Sequence, residues 1–77
     1  MSKRVQSSYA ALMERAAVQE FTAAMAASAA HEAERTGQTD MANVMAATAR
    51  RCRADAAKLR TRAHAVTHSL RDVQGRE

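Results

Sequence analysis

Proline and tryptophan are absent from this chain of 77 residues, and it has one cysteine, one tyrosine, one phenylalanine and two glycines, Gly37 and Gly75. Each scarcity excludes something. Without proline, and with glycine at two positions only, almost nothing interrupts a helix by removing an N–H or loosening the backbone. A single cysteine cannot close a disulfide within the chain and offers no zinc-type pair of thiolates. With two aromatic rings, the large anchors that usually fill a small core are missing. The longest uncharged run, residues 21–30, is ten residues, far short of the roughly 20 needed to span a bilayer. Lys3 and Arg4 give a basic start, but no apolar stretch follows, which predicts no cleaved export signal. Together with the lone thiol, this predicts a reducing, cytoplasmic setting.

What is abundant is alanine, which supplies most of the 47% hydrophobic content. Alanine is the best helix former, yet it buries little area, and area drives the hydrophobic effect. The length sets one domain over residues 1–77, of a size that buries only about 60% of its unfolded surface. A core made mainly of methyl groups is thin, so association with further copies is the remaining route to stability.

The only internal break is "RTGQTD", residues 35–40. Gly37 suits the left-handed position that closes a helix. Thr39 or Asp40 can cap the start of the next one, and Ser7 or Ser8 the start of the first. Gly75 falls just past the second helix. The sequence thus predicts an all-α fold: helix one over about 8–35, a turn at 36–39 and helix two over about 40–73. A short link between two long helices makes an antiparallel two-helix hairpin.

Helix two carries the clearest pattern. Met45, Ala49, Cys52, Ala56, Leu59, Ala63, Val66, Leu70 and Val73 recur at alternating spacings of four and three, the a/d repeat of a coiled coil. Alanine at every seventh position invites close approach, with large residues packed against small ones. On helix one, Val5, Tyr9, Leu12 and Met13 gather on one side, and Val18, Phe21 and Met25 on nearly the opposite side. No breaker lies between, so the expectation is two partners: helix two of the same chain for one cluster, another subunit for the other. The hairpin is therefore expected to dimerise into a four-helix bundle. Interface candidates are Val18, Phe21, Met25, Met45, Cys52, Leu59, Val66 and Leu70. In layout this is similar to the small RNA-binding copy-control proteins of plasmids, dimers of helical hairpins with small residues in the seam. The likeness is one of layout, and no residue's role carries across.

Charge is divided unevenly. Residues 5–39 hold four acids and two bases, net −2, whereas residues 40–73 hold seven bases and three acids, net +4. Arg50, Arg53, Arg60, His64 and Arg71 fall on one flank of helix two; Arg51, Lys58 and Arg62 fall on the other. The first row spans about 32 Å at 1.5 Å per residue, comparable to a turn of duplex DNA. Arginine suits bidentate phosphate or carboxylate contacts. Arg50, Arg53, Lys58, Arg60, Arg62 and Arg71 are the candidate partner- or phosphate-binding residues. The favoured reading makes these rows solvated faces paired with Glu14, Glu20, Glu32 and Glu34 of helix one.

His64 and His68 stand one turn apart and could share a transition metal. Two ligands do not make a site, and a histidine near a helix C-terminus is explained by the dipole; no metal and no cofactor are expected. Cys52 reads as a buried structural thiol. No phosphate-cradling loop, nucleophile–base pair or inward carboxylate pair is present, which argues against an enzyme. The sequence points to a small basic interaction protein (adaptor, inhibitor or assembly factor) acting through helical surfaces as an oligomer. Its expected partners are itself and another protein, with no membrane. The alternative is a helical nucleic-acid-binding regulator using the arginine rows.

Overall fold

The computed structural model describes the backbone of residues 3–75 and the side chains of residues 6–68. Two helices account for almost all of it: α1, Lys3–Arg35, and α2, Thr39–Gly75. They pack along each other as a hairpin whose Cα envelope measures 62 × 17 × 11 Å. Helix one starts earlier than the serines suggest. Lys3, Arg4 and Gln6 are good helix formers, and the helix runs through Ser7 and Ser8, both exposed. Gly75 is the last residue of α2, not the first beyond it. The side chains of Val5, Leu70, Arg71 and Val73 lie outside the described residues.

The turn is built as the glycine foretold. Gly37 has φ +77°, in the left-handed region that glycine enters without penalty. Its N–H donates to the Glu34 carbonyl at 3.2 Å, and that of Gln38 donates to the Ala33 carbonyl at 2.8 Å. These paired bonds form a Schellman motif and satisfy carbonyls that the helix end would leave free. The N–H of Ala42 then donates to the Gln38 carbonyl at 2.9 Å, opening α2. Asp40 sits in the first turn, where its charge complements the helix dipole.

The seam is nearly all alanine. The buried apolar residues are Ala16, Ala23, Ala26, Ala30 and Ala33 on α1, and Ala42, Ala49, Ala56, Leu59 and Ala63 on α2. On α2 they fall on the expected heptad, with Met45, Cys52 and Val66 half-buried in the same line. On α1 a matching heptad runs Tyr9, Leu12, Ala16, Gln19, Ala23, Ala26, Ala30, Ala33. The alanines from 23 onward are thus a directed seam, although they look spread over several faces. Ala16, Ala56 and Leu59 form the central cluster, with Leu12 packed against it: a leucine fits where the facing position is a methyl group. Helix α1 is unbroken through Ala16 and Ala17, so its two apolar clusters do face different ways.

Candidate functional site

The heptads fix which way every other residue faces. On α1, Phe21 lies opposite the seam, and Val18 and Met25 lie beside it on the flank that also carries Arg15. On α2, Met41 shares a heptad position with Asp55 and Arg62, and Val44 shares one with Lys58. Arg15, Gln19, Asp55, Lys58, Leu59 and Arg62 line one cleft of about 210 Å³, so these two flanks are neighbours. Hence Val18, Met25, Met41 and Val44 share one broad face, and Phe21 stands on the outer edge of α1 that borders it. All five are exposed, from 51% at Met41 to 67% at Phe21.

The other broad face is marked by an ion pair. Glu20 Oε2 accepts from Arg60 Nη2 at 2.6 Å, with both side chains a little under half exposed. The contact is single-pronged; Arg60 Nε is buried without a partner. A second pair, Arg35 with Glu32 at 2.8 Å, lies within α1 near the turn. A third contact, His31 to Glu34 at 4.0 Å, is an ion pair only when the imidazole is protonated.

Internal pairing of the arginine rows is therefore slight. Among the described residues Arg60 alone of the α2 cations has a carboxylate partner. Arg50, Arg51, Arg53, Lys58 and Arg62 are exposed and unpaired. The antiparallel register explains this. The position on α1 one heptad beyond Glu20, which would face Arg53, is Ala27. Arg71 lies outside the described side chains.

The sequence-derived interface candidates divide in two. Val18 and Met25 are exposed on the broad face and Phe21 at its border, whereas Met45, Cys52, Leu59 and Val66 are occupied by the intramolecular seam; Leu70 is outside the described side chains. Met41 and Val44 escaped the sequence reading because they sit between seam positions and carry no period of their own. Extending the helix-two heptad one step back to Ala42 would have placed them on the flank of Val18 and Met25.

His64 and His68 line a shallow, open depression with Thr61, Ala65 and Thr67. No group of three or more His, Cys, Asp or Glu side chains converges among the described residues. Cys52 is a free thiol, half-buried in the seam. No described helix is long and apolar enough to cross a membrane. No protein-family model matches the chain, and no curated protein and no solved structure matches it either.

Proposed function

We propose that this chain is a non-enzymatic interaction protein of the cytoplasm, that two copies pair through the apolar broad face into a four-helix bundle, and that the bundle presents its remaining helical surfaces to a protein partner. The observation that carries the reading is the exposure of Val18, Met25, Met41 and Val44 on one broad face, with Phe21 exposed at its border. Scattered exposed apolar residues are ordinary, but several large ones on one face mark an interaction site. Two arguments favour a second copy as its first occupant. The seam within one hairpin buries nine alanines and one leucine, little apolar area for a chain of this size. The broad face, 62 × 17 Å in Cα extent, is also large enough for the roughly 800 Å² per partner that stable interfaces bury.

Light scattering on the pure protein tests this. The expected mass is twice the chain's 8.3 kDa at micromolar concentration, and a monomer there would refute the pairing.

A further inference from the structure

We propose that the outer edge of α2, from Arg50 to His68, docks in the major groove of duplex DNA. Ala47, Ala54, Thr61 and His68 recur every seven residues on the side of α2 directly opposite the seam. They form a ridge of small side chains as far as Thr61. Arg50, Ala57 and His64 run along one side of that ridge, and Arg51, Lys58 and Ala65 along the other. Arg53 and Arg62 stand further out, one on each flank. Of these residues, all but the half-buried Ala47 are exposed. The ridge lies outside the helix–helix seam; Arg51, Lys58 and Arg62 share the flank of Val44 and Met41 and follow them toward the C-terminal end of α2.

Charge selects the partner. Arg50, Arg51, Arg53, Lys58 and Arg62 have no carboxylate within ion-pair distance among the described residues. The only acid between Arg50 and His68 is Asp55, half-buried at the rim of the seam. From Arg50 to Arg62 the helix rises about 18 Å at 1.5 Å per residue, a length over which duplex DNA carries about ten phosphate charges. Cations on both sides of a low ridge match a groove with two phosphate walls. A helix about 10–12 Å across fits a major groove about 12 Å wide, and methyl-sized side chains on the ridge let the backbone enter it. An acidic helix would offer one line of charge instead of two. Tyr9 and Phe21 are the only aromatic residues and both lie on α1, so the edge has no platform for stacking single-stranded bases. Duplex RNA has a major groove too deep and narrow for a helix. Base reading should be weak: the Thr61 hydroxyl donates to the Ala57 carbonyl at 3.0 Å, and the other ridge residues down to Ala47 are alanines.

Fluorescence anisotropy with a labelled 20-base-pair DNA duplex of mixed sequence tests this on the full chain. Binding is expected at about 50 mM salt. Neutralising five phosphates gives a slope of log affinity on log salt of about −4.5. Arg50→Ala with Arg51→Ala and Lys58→Ala should weaken binding at least tenfold and flatten the slope by about 3. The melting temperature should hold, because none of the three has an internal partner and alanine keeps the helix. Scrambling the duplex sequence should change affinity little. The proposal is overturned by no binding at about 50 mM salt, by equal affinity for duplex RNA or single strands, by tighter binding to polyglutamate than to DNA, or by a triple variant that stays folded and binds as well as the parent.

Discussion

Glu20 and Arg60 form the only ion pair that crosses from α1 to α2 among the described residues, Oε2 to Nη2 at 2.6 Å. Both are 40 residues apart in the chain and are brought together by the register that Gly37 sets. The pair is nearly half exposed, so solvent and salt screen it. A double-mutant cycle with Glu20→Gln and Arg60→Met should give a coupling of about 0.2–1 kcal/mol in thermal or urea unfolding, shrinking as salt is raised. A coupling above about 2 kcal/mol would mean that the contact is more enclosed than its exposure indicates.

Stability should reside in the alanine seam instead. Leu59 is 7% exposed and packs on Ala16, which is fully buried. Leu59→Ala should cost about 2–5 kcal/mol by leaving a cavity. Ala16→Leu should cost about 1–3 kcal/mol by overpacking, whereas Ala17→Leu, one residue away on an exposed surface, should be close to neutral. Urea unfolding of the two leucine variants side by side checks this; equal effects would mean that position 16 is not sterically full.

The turn offers a purely conformational test. A Cβ built on Gly37 meets nothing within 4 Å, so any penalty there comes from φ +77° alone. Gly37→Ala should destabilise by about 1–2 kcal/mol. Gly37→Asn should cost less, since asparagine tolerates the left-handed region. Circular dichroism melts of the two variants rank them, and the reverse order would contradict a conformational origin.

The hairpin, its single turn and the helix-two seam were legible because each has a strong local signal: a glycine between two uninterrupted helical runs, and an apolar residue at every three or four positions. The helix-one seam was not. Its alanines at 16, 23, 26, 30 and 33 lie among other alanines at 17, 24, 27 and 29, and an alanine tolerates burial and exposure alike, so periodicity of hydrophobicity has no contrast there. The large residues Val18, Phe21 and Met25 have contrast but point outward, and they draw attention to the face that the hairpin leaves uncovered. The pairing of charges was not legible either. The sequence counts acids and bases on each helix, but only the register decides that Glu20 meets Arg60 while Arg53 meets Ala27's side of α1.

The last prediction concerns which face holds the second copy. If the apolar broad face does, substitutions on either helix of that face should act alike. Phe21→Glu on α1 and Val44→Glu on α2 replace exposed side chains, 67% and 57% accessible in the single hairpin, so neither should disturb the intramolecular seam. Val44→Glu would place a charge on the pairing surface and Phe21→Glu one at its border, where an unpaired buried charge costs several kcal/mol. The mass from light scattering should fall to that of one chain, and the melting temperature should lose the dependence on protein concentration that a dimer imposes. Ala24→Glu lies on the opposite broad face, is also exposed and should leave both readings as they were. If Ala24→Glu dissociates the protein and Phe21→Glu does not, the second copy sits on the alanine-and-arginine face, and the apolar patch belongs to a different protein.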